Sequence, residues 1–229
     1  MGIYDRYVLP RIVEFFISNP TVEGRRRELL RDVSGQALEI GCGTGLNIPW
    51  YTDRVRHVTV TDRNTEMLFR AGRRGAVSPV RITLCAADAE RLPFHDASFD
   101  SVVSTWTLCS IADVDRGLNE IYRVLKPWGT FHFLDHGLSP DPGVRLLQKV
   151  LKPLFLLCGG GCRPDRDIQS LLESHGFAFR SLKTLYLEGM ARTAGYLYTG
   201  VAEKPGSGTT ERHRCDGEKQ RSSLQERMG

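Results

Sequence analysis

The sequence predicts an α/β chain: a doubly wound, seven-stranded, mostly parallel sheet with N-terminal lid helices. Three observations carry that prediction. Short β-branched runs alternate with amphipathic stretches from residue 36 to about residue 174. A glycine-rich turn, Gly41-Cys42-Gly43-Thr44-Gly45, follows the first of those runs. The last two strand-like segments have no long helical pattern between them, as expected for an antiparallel hairpin at one sheet edge.

The elements follow in order. Residues 3–18 place Tyr4, Val8, Ile12, Phe15 and Phe16 near helical spacing, and a second helix is expected over 21–33. Residues 36–40 form a short apolar strand that stops at glycine, and a helix is expected to begin within 45–52. A second strand covers 57–61, and a helix covers 64–74 with Asn64 or Asp62 near its start. Residues 80–85 and 99–105 read as strands. Over 113–125, Val114, Leu118, Ile121 and Leu125 share one helical face, with Asp113 as the cap. Residues 130–135 form the next strand. An apolar helix over 144–157 is kinked or split near Pro153. A helix over 165–174 precedes strands over 177–187 and 196–202.

A length of 229 residues with 41% hydrophobic residues suggests one domain plus appendages; the domain is expected over 1–203, with residues 1–34 as its lid helices. From 204 to 229 the chain is polar, with Cys215, Leu224 and Met228 nearly its only apolar residues, and it is expected to be disordered. The net charge of +4 is spread thinly, which argues against a nucleic-acid partner. Arg25, Arg26 and Arg27 form the tightest basic run and read as a solvated helix face. Six cysteines include no C-x-x-C pair and no zinc spacing, so no metal is expected. Cys158 and Cys162 flank three glycines and are at most a weak metal or disulfide pair. Reduced thiols, no signal segment and no apolar run near the roughly 20 residues of a bilayer span place the chain in the cytoplasm.

Glycines at 41, 43 and 45 permit a tight turn and close backbone approach by a ligand. Their spacing is G-x-G-x-G; Leu46 stands where the dinucleotide fingerprint G-x-G-x-x-G needs its third glycine. That departure speaks against a pyrophosphate ligand. Glu39, just before the turn, suits a cationic group, directly or through water. Asp62, at the next strand end, suits a pair of ribose hydroxyls. Asp88 can accept from an adenine amino group while the Ala89 N–H donates to the ring. The plainer alternative for Asp88 is a helix cap.

These pieces, with Asp88-Ala89-Glu90-Arg91-Leu92-Pro93-Phe94, Ser98-Phe99-Asp100 and Glu120-Ile121-Tyr122-Arg123-Val124-Leu125-Lys126-Pro127, resemble the type 11 family of class I S-adenosylmethionine (SAM)-dependent methyltransferases. The resemblance covers roughly residues 36–135. It implies a Rossmann-like methyltransferase fold and SAM held by Glu39, Gly41, Cys42, Gly43, Thr44, Gly45, Asp62, Arg63, Met67, Asp88, Ala89 and Thr105. Trp128 replaces the first glycine of the family's Lys-Pro-Gly-Gly and is expected to force another turn type.

Ligands of open α/β sheets bind beyond the carboxyl ends of the strands. An acceptor pocket is therefore expected from Trp106, Leu108 and Cys109 after the fourth strand, with Tyr4 and Tyr7 folded over from the N-terminus. Leu108-Cys109-Ser110-Ile111, Asp135-His136, Gly161-Cys162-Arg163 and the 198–204 ending resemble the methyltransferase-like protein 7 group of thiol S-methyltransferases. That group usually has Glu where this chain has Asp135, and its animal members carry an N-terminal anchor that finds no counterpart here. The resemblance implies a small apolar acceptor, a thiol. His136, with Asp135, ends the fifth strand where that acceptor is expected to approach, and is expected to remove its proton. Alternative acceptors are a phospholipid amine and a quinone precursor; a catalytically silent SAM-binding or partner-binding protein is the alternative of another class. Residues 154–157, with Lys149 and Lys152, suit either a pocket lid or a weak membrane-surface contact.

Overall fold

The computed structural model describes Glu14 and residues 20–206. The expected helix over 3–18, apart from Glu14, and the tail over 207–229 lie outside the described residues, as do Tyr4 and Tyr7.

Seven strands form one sheet: β1 (Gly35–Ile40), β2 (Val55–Asp62), β3 (Ile82–Ala86), β4 (Phe99–Thr105), β5 (Leu125–His136), β6 (Ala178–Tyr186) and β7 (Tyr196–Glu203). Their spatial order is β3-β2-β1-β4-β5-β7-β6. β2 and β4 both lie parallel to β1, so the winding reverses between β1 and β4. β7 runs antiparallel to both β5 and β6, which is the edge hairpin the sequence predicts.

Helices α1 (Pro20–Leu30), α2 (Thr65–Gly75), α3 (Val114–Val124), α4 (Pro142–Cys158), α5 (Ile168–Ser174) and the short α6 (Arg192–Gly195) connect and cover the strands. Alternate residues of a strand point to opposite faces, and β1 shows it. Leu38 and Ile40 pack with Leu118, Ile121 and Phe131 of one core, while Ala37 packs with Val58, Val60, Leu68 and Ala71 of the other. The expected caps are in place: Asn64 accepts from the Glu66 N–H and Asp113 from the Arg116 N–H, each satisfying an orphan donor of the first turn.

Two expectations are corrected. Residues 45–52 begin no α-helix; they form tight turns leading to a 3-10 turn over Ile48–Trp50. The cause is Pro49, which disfavours the α conformation at Ile48, so the bonds run to the third residue back, as from Trp50 N–H to Asn47 O at 2.9 Å. Trp128 does not force another turn type. It adopts the left-handed backbone a glycine would use, at φ 64°, at a cost of about 1–2 kcal/mol. Paired bonds between Trp128 N–H and Lys204 O (2.8 Å) and Lys204 N–H and Gly129 O (3.0 Å) hold it there. Pro153 lies inside α4 without ending it.

Candidate functional site

A cavity of about 490 Å³ opens at the carboxyl ends of β1, β2 and β4, at the point where the winding reverses. Its floor is the glycine turn. Gly41, Gly43 and Gly45 all have positive φ, but they differ in what surrounds them. A Cβ on Gly41 would lie 2.3 Å from Thr107 Cγ2, and one on Gly45 would lie 2.9 Å from the Ala71 backbone. A Cβ on Gly43 would meet nothing within 4 Å. Gly43 thus presents bare backbone to the cavity, whereas the other two permit close packing of the turn on the protein.

Asp62 ends β2 beside this turn. One carboxylate oxygen accepts from the Gly43 N–H at 2.9 Å and the other from the Asn64 N–H at 2.8 Å. Burial raises its pKa against those two bonds. Each oxygen keeps lone-pair capacity for a hydroxyl in the cavity. Arg63, Met67, Asp88 and Ala89 line the same end. Asp88 also accepts from the Glu90 N–H at 3.0 Å, so it shapes its own turn as well as the wall.

A buried polar chain runs from β1 to α1. Glu39 accepts from Tyr51 Oη at 2.6 Å and from Asn47 Nδ2 at 2.9 Å. Asn47 Oδ1 accepts from Arg26 Nη1 at 2.7 Å, and Arg26 Nη1 and Asn47 Nδ2 both reach Thr105 Oγ1. Burial pushes the Glu39 carboxyl up to about 7, against the opposing pull of Tyr51, Arg26 and Asn47. Glu39 is not part of the cavity wall; its carboxylate orders Asn47 and Tyr51.

Arg26 does form part of the wall. It is only 3% exposed, which corrects its reading as a solvated helix face. Its guanidinium lies 4.8 Å from the Trp106 ring centroid. Among the described residues, Nε and Nη2 are buried with no hydrogen-bond partner. Two such buried donors are costly unless something accepts from them. Glu14 reaches the other side of the turn, accepting from Thr44 Oγ1 at 2.8 Å and from Arg74 Nη2 at 2.9 Å.

The far end of the cavity is less polar. Trp106, at φ 51°, turns out of β4 into the wall. Ile111, Leu156, Leu157 and Gly159–161 complete that end. Cys42, Thr44 and Thr105 also line the cavity; Gly45 does not. Leu108 and Cys109 are fully buried rather than lining, because Leu108 belongs to the core under α3. Asp135 is buried and accepts from the Thr107 N–H at 2.8 Å. His136 stands off the wall, with Nε2 2.7 Å from Cys162 Sγ. Burial alone would lower its pKa, but neighbouring Cys109 and Asp135 lift it to about 9. The imidazole thus faces two cysteine sulfurs and is not part of the cavity wall.

A family model described as a methyltransferase domain matches residues 38–133. Thiol S-methyltransferase TMT1A of Homo sapiens is 32% identical over 174 residues, 71% of each chain. The chain belongs to the class I SAM-dependent methyltransferases. A demethylmenaquinone methyltransferase of Symbiobacterium thermophilum is 39% identical over 181 residues, 71% of this chain and 68% of that protein. Among solved structures, a SAM-dependent methyltransferase from Mesorhizobium loti shares the fold, with a TM-score of 0.63 at 21% identity over 82% of this chain and 99% of that one.

This methyltransferase is an enzyme, and SAM is its cofactor. Its sequence announces the glycine turn, Asp62 and Asp88, because they sit at strand ends with fixed spacing. It does not announce Arg26 or Asn47. Arg26 sits in a run of three arginines whose helical phase was the one available signal: Val22, Arg26, Leu29 and Leu30 share the buried side of α1. Among the described residues no helix is long and apolar enough to cross a membrane.

Proposed function

We propose that this enzyme transfers the methyl group of SAM to the sulfur of a small, apolar thiol. The observation that carries the cofactor assignment is the match between cavity and ligand. Bare backbone at Gly43, the Asp62 carboxylate and Asp88 stand at one end, and the orphaned Arg26 donors stand beside the turn. In this reading Asp62 takes the ribose hydroxyls, Asp88 and Ala89 the adenine, and Arg26 Nε and Nη2 the methionine carboxylate. Gly41, Cys42, Thr44, Arg63, Met67 and Thr105 shape the surrounding wall.

Bound SAM would supply an electrophilic methyl carbon to the acceptor sulfur, with S-adenosylhomocysteine as the leaving product. The chain's own part is positioning and exclusion of water. Trp106, Ile111, Leu156 and Leu157 present an apolar wall to the acceptor. Such a wall favours a thiolate whose charge is cancelled in the transition state. Because His136 faces Cys162, the acceptor's own acidity, near 8.5 for a free thiol, governs how much thiolate is available. The lid role of the N-terminal segment rests on Arg26 and Glu14 closing on the turn.

The likeness to a human thiol S-methyltransferase supports sulfur as the acceptor. The test is a methyl-donor assay against alkyl and aryl thiols, a phospholipid amine and a quinone precursor. Turnover of thiols, rising with pH toward the acceptor's pKa, is expected. Turnover of the quinone precursor or the lipid amine alone overturns the thiol assignment, and SAM binding without turnover of any of them leaves a silent binding protein.

A further inference from the structure

Three side chains from separate loops meet behind the apolar end of the cavity. Cys109 lies in the connection from β4 to α3, His136 ends β5, and Cys162 lies between α4 and α5. A ring nitrogen of His136 and the two sulfur atoms all lie within 4.8 Å of one another. Cys109 and Cys162 are 1% and 4% exposed. We propose that Cys109, His136 and Cys162 bind one zinc ion, which clips the three loops together behind the cavity wall.

The donor set is two thiolates and an imidazole, the ligands that zinc prefers. Tetrahedral zinc, with Zn–S near 2.3 Å and Zn–N near 2.0–2.1 Å, sets N···S at about 3.5 Å and S···S at about 3.8 Å. His136 Nε2 and Cys162 Sγ, now 2.7 Å apart, need separate by only about 0.8 Å to meet that geometry. The fourth position is left to water or a neighbouring side chain. Asp135 is the chain neighbour of His136, and among the described residues its buried Oδ1 has no hydrogen-bond partner.

The shell around the group is built to hold it. Arg163 N–H donates to Cys109 O at 2.9 Å. Arg166, itself buried, donates to Leu108 O and to Ile111 O. Thr107 N–H fixes the other Asp135 oxygen. Such outer bonds orient ligands before the metal arrives. Two thiolates balance the charge of a divalent ion, and Arg166 stands by to offset the carboxylate. The ion's consequence for the enzyme is local: Ser110 and Gly161, the chain neighbours of two ligands, line the cavity. Fixing Cys109 and Cys162 fixes both parts of that wall.

The test uses the full chain, expressed with zinc and purified under reducing conditions. Elemental analysis is expected to find about one zinc per chain, and Cys109→Ser or Cys162→Ser to abolish it while Cys85→Ser retains it. Cobalt(II) added to metal-stripped wild type is expected to give thiolate-to-cobalt charge-transfer absorption and intense tetrahedral ligand-field bands. This arm needs no variant to fold. A folded, SAM-binding wild type without stoichiometric zinc and without the cobalt–thiolate band overturns the proposal. So does a band that survives in the doubly substituted Cys109→Ser/Cys162→Ser chain, or a Cys109–Cys162 disulfide in the protein as isolated.

Discussion

Replacing Arg26 by methionine keeps the length and apolar stem of the side chain and removes its donors. In the native structure Nη1 is bonded to Asn47 and Thr105, while Nε and Nη2 are buried and unpartnered among the described residues. If the methionine carboxylate of SAM takes those two N–H groups, the substitution breaks a desolvated, bidentate ion pair. Truncating one partner of such a pair costs about 2–4 kcal/mol, equivalent to roughly 30- to 1,000-fold in Kd. Calorimetry with SAM should show that loss in Arg26→Met. Decarboxylated SAM, which lacks only the carboxylate, should bind wild type weakly and the variant about equally. The difference between the two ligands isolates the carboxylate contact from any general damage to α1. Equal losses for both ligands, with α1 still packed, would refute the assignment of Arg26.

Other outcomes follow from the same geometry. Asp62→Ala should weaken SAM binding by about 1.5–3 kcal/mol, because a charged acceptor is lost; unchanged affinity in calorimetry would remove Asp62 from the site. Gly43→Ala should fold with a loss of about 1–2 kcal/mol yet bind SAM poorly, whereas Gly41→Ala should cost about 1–3 kcal/mol more in stability, since its methyl strikes Thr107; denaturation and calorimetry separate the two. Glu39 contributes a pH dependence of known sign. Its folded pKa of about 7 lies above the ordinary 4.5, so its stabilisation is full below pH 4.5 and is lost as pH rises through about 7. The loss is about 3 kcal/mol at most, and Glu39→Gln should flatten the stability curve across that window. A chain ending at Gly206 should keep its melting temperature within about 2 °C, an expectation that rests on the composition of the tail; a larger fall in a thermal scan would show that the tail docks.

What could be read from the sequence was what repeats or sits at a fixed offset. Strand ends, the caps Asn64 and Asp113, and the acids at 62 and 88 are all tied to local periodicity, and the structure puts each element near its expected place. The helix expected after the glycine turn failed at one residue, Pro49, whose effect on Ile48 outweighed the precedent of similar turns. The site's deeper parts have no local signature. Arg26 becomes a cavity residue only because α1 packs across the end of β4, where Thr105 and Trp106 await it. His136 ends β5 as expected, but its partner Cys162 reaches it from a loop far along the chain. Neither pairing leaves a trace in sequence spacing.

The chain from Tyr51 through Glu39 and Asn47 to Arg26 has a thermodynamic corollary. Arg26 belongs to α1, and the rest of that chain belongs to the sheet side of the cavity. A ligand that recognises Arg26 therefore binds only molecules in which α1 is docked. Its apparent affinity is the intrinsic one reduced by the docked fraction, and ligand in turn draws α1 onto the sheet. Any change that loosens α1 anywhere along its buried side, at Val22 or Leu29 as much as at Arg26, should register as weaker cofactor binding before it registers as unfolding.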